Sequence, residues 1–464
     1  VSKRADFSHR LLERTAAIGL LLAFAPLSAC ATPSVPDGSL TVVTGQETDA
    51  WTQTPLPQSV LVELVGKMRT SLATVPAPAT TVALGAGSPA ESPAHFEVTA
   101  FDADNNAVLH GASIRFLIDG FAGATPTVFV GRTGGLGRAP GDLVFEHRHP
   151  IVEVVSHAFV FIAGGDVGSA NQASVDIYDT ANWVAAPQQP SLPSVPKSWA
   201  VAGSQLLLIN DSGASWLDLN TGDTSAVTGP AGLQYSDIVG GITLVGANDT
   251  RYIVGGTRAT GSASASVLRV ASDGTLRALT LTSRRLGAAA AVVDGQLVVV
   301  GGSDTGAGVE VLNADETAFV ALAYPADVTQ GAALTALTST SALVVGGLEP
   351  TTGTNAGLRT LDMTCTDSCA LAPLSKLDFP FTQPTAFRLD DNQALISGES
   401  ADGETHLFTL STTSDFALSE QPLRTPRRGA SVAVFPNGQV GVFGGNALAD
   451  GSPATSIELY FPTL

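Results

Sequence analysis

The chain has 464 residues, too many for one compact core and enough for a large repeat domain with a smaller companion. Charged residues make up 14% and aromatics 6%, the formal net charge is −19, and lysine occurs only at Lys3, Lys67, Lys197 and Lys376. That acidity argues against nucleic acid as a partner, which needs a basic face, and against charge-driven adhesion to an anionic membrane; it favours solubility.

Residues 1–29 differ in composition from the rest. Val1 stands where Met is expected, which points to an alternative start codon translated literally. Lys3, Arg4, Arg10 and Arg14 form a charged start, and Ala16–Leu27 is an apolar stretch of signal-peptide length, too short to span a bilayer. The stretch ends in Leu27-Ser28-Ala29-Cys30. This resembles the lipobox of bacterial lipoproteins. The resemblance implies cleavage before Cys30, diacylglycerol on its thiol and acylation of the new amine, a multi-chain anchor that holds stably. Ala31, rather than Asp, then implies sorting to the outer membrane. Residues 30–38, with Pro and Ser, read as a tether. Export places the chain in an oxidising compartment, so Cys365 and Cys369 in TCTDSC are expected to form a disulfide. A metal site there lacks a nearby histidine to complete it.

Residues 39–125 alternate apolar and polar. The expected strands are 39–44, 59–65, 80–85, 95–109 broken by a turn at Asp102–Asn106, and 113–118. Five or six short strands predict a β-sandwich of immunoglobulin or fibronectin-III type. DADNN resembles the start of a calcium loop, but lacks the Gly and distal Glu, and is expected to be a plain turn.

From residue 126 onward a run of β-formers ending in Gly-Gly recurs: Phe159–Gly165, Tyr252–Gly256, Leu297–Gly302, Ala342–Gly347 and Val440–Gly445. The first glycines fall at 164, 255, 301, 346 and 444, a spacing of about 46 or twice that. Degenerate copies at Leu206–Asp211 and Ala394–Glu399 fill the gaps, making seven. Such a period in an all-β chain predicts a seven-bladed β-propeller over 126–464. The stretch from Val154 to Trp183 has Gly164-Gly165, then Tyr178-Asp179, then Trp183. That order resembles the kelch repeat, in which the glycines end the second strand of a blade and the Trp packs between blades. Later copies keep less of it, and only Trp183 keeps the Trp. The last repeat supplies three strands, so the ring is expected to close with a strand from 126–146, TVFVG at Thr127–Gly131 being the best candidate.

No catalytic set emerges. His147-Arg148-His149 is the only histidine cluster and reads as an exposed turn between blades. The copper site of a galactose-oxidase-like propeller needs a Cys–Tyr crosslink that Cys365 and Cys369 are too close together to supply, and no Asp box is present. No cofactor or metal is expected. One pattern repeats: Arg284-Arg285 precede Gly301 by 17 and 16 residues, Arg427-Arg428 precede Gly444 by the same amounts, and Arg148 precedes Gly164 by 16. These arginines either brace neighbouring carboxylates and carbonyls or form an anion-binding mouth. The candidate binding face is Arg148, Asp166, Arg258, Arg284, Arg285, Asp304, Glu349, Glu399, Arg427, Arg428 and Asn446, on the turns between blades and the loops after Gly-Gly.

The sequence therefore predicts a monomeric, lipid-anchored protein of the cell envelope, periplasmic or surface-exposed. It would touch the membrane only through its anchor and bind an envelope protein or glycan through one propeller face. The rivals are a secreted carbohydrate oxidase or lyase, which needs a titratable or metal constellation, and a glycan binder, which needs exposed aromatics such as Trp199 and Trp216.

Overall fold

The computed structural model describes residues 38–84, 93–117, 125–155, 157–165, 173–187, 192, 194–255, 261–303, 305–353, 357–374, 381–413 and 416–464. They are almost all strand and turn, as the alternating and Gly-punctuated sequence predicts. The lipobox, most of the tether, and Asp166, Arg258 and Asp304 lie outside the described residues. Among the described residues no helix is long and apolar enough to cross a membrane.

The N-terminal part contains two sheets. One runs Arg69–Pro76, Ser59–Val65, His95–Phe101, Ala107–Ala112, Gly131–Arg132. The other runs Thr81–Leu84, Gly38–Val43, Thr127–Phe129. Alternate residues of both, among them Leu40, Val42, Val60, Val62, Phe96, Val98 and Val128, meet in one core. Four expected strands are present. The segment 113–118 is not a strand where it is described; it contributes one isolated bridge, Phe116 to Ala94. The strand Arg69–Pro76 was not expected. Asp102 closes the turn at 102–106: its Oδ1 accepts the N–H of Asp104 at 2.9 Å and of Asn106 at 2.8 Å. These bonds hold its carboxyl below the usual range, and it serves its own turn.

Seven four-stranded antiparallel sheets follow among the described residues, here numbered in chain order. Sheets I to VI span 151–187, 198–227, 242–285, 289–321, 330–373 and 382–420. Sheet VII is Ser431–Val434, Val440–Phe443, Glu458–Phe461 and, from far upstream, Gly135–Arg138. A strand from 126–146 does join the last repeat, but it is Gly135–Arg138. Its register is Glu458 with Arg138 through Phe461 with Gly135. Thr127–Phe129, the expected candidate, instead pairs in parallel with Thr41–Val43. The N-terminal sheets therefore extend through Arg132, past the boundary expected at 125/126.

The chain forms two compact units. One holds the described residues within 1–191 with 433–444 and 453–464; the other holds 192–432 with 445–452. In the second unit, the first strands of sheets II to VI neighbour one another in succession. Each sheet buries both faces. In sheet IV, Ala290, Leu297 and Val299 pack toward sheet III, while Ala289, Ala291, Val298 and Val300 pack toward sheet V. A strand sandwiched on both sides reads as an unbroken apolar run, which is why LVVVGG lacks alternation. In the first unit, sheets I and VII share a core in which Trp183 stacks on Phe435 at 6.1 Å and meets Phe129 edge-on at 5.3 Å. Together these observations define an all-β, propeller-like architecture.

Candidate functional site

The Gly-Gly pairs end the second strands in left-handed backbone. Gly301 and Gly302 have φ of 75° and 68°, Gly164 and Gly165 have 64° and 107°, and Gly444 and Gly445 have 66° and 91°. The second glycine lies against the backbone of the segment leading into its own sheet. A Cβ there would stand 2.0 Å from the Arg148 carbonyl oxygen at Gly165, 2.5 Å from that of Leu286 at Gly302, and 2.6 Å from that of Arg428 at Gly445. Only glycine fits both the angle and the approach.

The residue just before each of those carbonyls is a buried base. Arg285 and Arg427 are completely buried, and His147 nearly so. Arg285 shows what such a group does. Its Nε and Nη2 donate to Glu310 Oε1 at 3.2 and 2.8 Å, its Nη1 to the carbonyls of Gly301 and Gly308 at 2.6 and 3.2 Å, and its Nη2 also to that of Ala307 at 2.8 Å. A guanidinium has five N–H donors, and all five are used. Glu310 in turn accepts the N–H groups of Thr282 at 2.5 Å and Ser283 at 3.1 Å. Burial pushes the Arg285 guanidinium down, while Glu310 and Asp327 pull it up.

Sheet I repeats the arrangement with different side chains. His147 Nδ1 lies 3.0 Å from the Gly164 carbonyl and Nε2 lies 3.2 Å from Asp176 Oδ2. Asp176 accepts the N–H groups of Val144 at 3.3 Å and Phe145 at 3.0 Å. In both sheets the carboxylate thus clasps the base and the two backbone amides that stand three and two residues before it. Sheet V inverts the charges: Arg359 on its third strand meets Asp327 at 3.1 Å. The acid sits on the third strand opposite the residue two before Gly-Gly: Asp176 opposite Ile162, Glu310 opposite Val299, Glu458 opposite Val442. These acids were missed in the sequence. Their signal was there, an acid between apolar neighbours in Val175-Asp176-Ile177, Val309-Glu310-Val311 and Ile457-Glu458-Leu459.

The expected binding face divides accordingly. Arg285, Arg427 and Glu399 are buried and have no surface to offer a ligand, a correction to their assignment there. His147 is buried too, so the histidine cluster is not simply an exposed turn. Arg148, Arg284 and Arg428 are exposed, and Glu349 is half-buried. Arg428 pairs across two short strands with Asn446 and lies 3.5 Å from Asp402. The Glu349 carboxylate accepts from the hydroxyls of Thr351 and Thr352, which hold it below the usual range. Trp199 and Trp216 are half-buried, and Trp216 packs against the core between sheets II and III. Cys365 and Cys369 form the expected disulfide, with Cα atoms 5.8 Å apart, in the turn before the two-residue outer strand Ala372–Pro373.

An open cleft of about 590 Å³ lies in the second unit. Its walls are Gly261, Leu286, Gly287, Gln330, Gly331, Leu348 and Pro350. Leu286-Gly287 connects sheets III and IV, Gln330-Gly331 begins sheet V, and Leu348 and Pro350 follow the Gly-Gly of sheet V. The Gly331 N–H donates to the Gly287 carbonyl at 2.7 Å across the floor. Among the described residues no group of three or more His, Cys, Asp and Glu is placed to hold a metal ion.

No protein-family model matches the chain, and no curated protein matches it. A solved structure titled "Streptogramin B lyase structure" aligns over 70% of this chain and 96% of that one, at 12% identity and a TM-score of 0.41.

Proposed function

We propose that the chain is a cell-envelope lipoprotein whose seven-bladed, kelch-like propeller binds an envelope protein or glycan through one face without catalysing a reaction, and that an immunoglobulin-like domain stands between the propeller and its anchor at Cys30. The cleft carries this reading. It is built from a connection between two sheets and from segments that follow Gly-Gly pairs, the elements expected to form the binding face. Its described walls are neutral: three glycines, two leucines, a proline and one amide. Such a lining suits an uncharged extended segment held by backbone and apolar contacts, with the exposed Arg284 and the half-buried Glu349 at hand for polar contacts at the margin. The seven sheets, the left-handed glycine pairs and the buried Trp183 support the kelch-like assignment.

Leu348 is 40% exposed, so a charge there leaves the core alone. Leu348→Asp is expected to weaken capture of the partner from envelope extract by about tenfold, roughly 1.4 kcal/mol, with an unchanged melting temperature. Undiminished capture would place the partner elsewhere. Cys30→Ser is expected to release the protein from membranes in detergent partitioning, and continued membrane association would remove the lipid anchor from the account.

A further inference from the structure

We infer that the Cys365–Cys369 disulfide is a redox-sensitive latch: joined, it keeps the outer edge of sheet V closed, and its reduction opens that edge while the rest of the fold stays intact. The outer strand Ala372–Pro373 pairs only with Arg359 and Thr360, whereas the fourth strands of sheets I and II pair four residues each. Pro373 has no N–H to give to a ladder. The segment 363–371, which carries both cysteines, supplies the hold that the ladder lacks. The Met363 N–H donates to the Thr340 carbonyl at 2.8 Å, and the Cys369 N–H to the Ala323 carbonyl at 3.3 Å. Beside Ala323, the Tyr324 hydroxyl donates to the Asp362 carbonyl at 2.8 Å and accepts the Asp362 N–H at 3.1 Å. Cys369 is buried in one core with Val309, Val311, Tyr324 and Leu361, and Cys365 packs at its margin. The disulfide turn thus ties the third strand of sheet V to the segment that leaves sheet IV.

The two cysteines stand four residues apart, and so short a loop constrains the unfolded chain less than a long one does. The bond therefore acts on local shape. Inside the loop Ser368 has a φ of 51°, left-handed backbone that a serine keeps only where its surroundings impose it. Thr364, Thr366, Asp367 and Ser368 are exposed, so a dithiol reaches the bond from the solvent side. Its thiolate attacks Cys365 Sγ, the S–S bond breaks, and Cys369 leaves and takes up a proton in its apolar surroundings. The second thiol of the reductant then displaces Cys365, which also takes up a proton. The dithiol ends as a disulfide, and both cysteines end as thiols. With the sulfurs apart, Ser368 relaxes, Cys369 withdraws from Ala323, and Ala372–Pro373 comes away. The backbone edge of Leu358–Asp362 is then uncovered.

The test follows hydrogen exchange by mass spectrometry in the full chain, oxidised and after dithiothreitol under native conditions. Alkylation of the peptides carrying Cys365 and Cys369 reports the reduction, apart from any thiol at Cys30. The expected result is exchange about tenfold faster across 358–374 in the reduced protein, with the second strands of sheets III and IV unchanged. A chain carrying both Cys365→Ser and Cys369→Ala is expected to exchange fast there without reductant and to ignore its addition. Should that variant fail to fold, the reduced wild type alone decides. Unchanged exchange in the reduced protein would overturn the inference. So would an acceleration spread evenly over sheets II to VI, which marks a staple of the whole fold, or a native disulfide that dithiothreitol does not reduce.

Discussion

Arg284 and Arg285 are chemically identical neighbours with opposite fates. Arg285 is enclosed with all five donors bonded, while Arg284 is exposed. Removing one partner of a buried pair leaves the other charge uncompensated, at a cost of about 3–5 kcal/mol. Arg285→Ala is therefore expected to lose about that much in denaturant unfolding, and Arg284→Ala to stay within about 0.5 kcal/mol of the wild type. Equal losses would show that the clasp is not what Arg285 provides. The sequence made the repeat of these arginines visible but not their register. Counting 16 residues back from each first glycine aligned Arg285 with Arg428 and Arg148. The structure aligns it with Arg427 and His147, because the carbonyl that meets the second glycine follows the buried base. One residue of slack in the loop between strands is enough to hide this from a count. A histidine in an arginine's place hides it further.

The seven sheets were legible as elements because their second strands are apolar on both faces and five of them carry Gly-Gly at their ends. Strand Arg69–Pro76 was not, since it lies at a sheet edge with no fully buried residue and so carries no apolar period. The fourth strand of sheet VII was misplaced for a related reason. TVFVG has the stronger β composition, but the Thr127–Phe129 backbone pairs with Thr41–Val43 in an N-terminal sheet, and the sparer GLGR pairs with Glu458–Phe461. Gly137 sits 3.1 Å, at its would-be Cβ, from the ring of Phe461, so a small residue is needed there. A chain beginning at residue 133 should keep sheet VII, and one beginning at 147 should lose its fourth strand and expose Leu459 and Phe461. The longer truncation is expected to melt well below the shorter. Equal melting temperatures would mean that Gly135–Arg138 does not complete the sheet.

At the scale of the molecule, period and composition revealed an acidic, all-β repeat protein, and the structure accounts for where its ionisable groups went. Several are spent inside the sheets, in clasps such as Arg285–Glu310, His147–Asp176 and Arg359–Asp327. The proposed binding face was legible only as a set of loops, because ligand contacts depend on exposure, and exposure depends on the register just described. What remains of that proposed face in the described residues is the neutral cleft, with the exposed Arg284 and the half-buried Glu349 adjoining its walls in sequence. The most direct test places a photo-crosslinking side chain at Leu348, in the cleft, or at Val320, also exposed on the outer strand of sheet IV, and exposes each protein to envelope extract. The account predicts a discrete adduct from position 348 and none from 320; the same adducts from both, or an adduct from 320 alone, would contradict it.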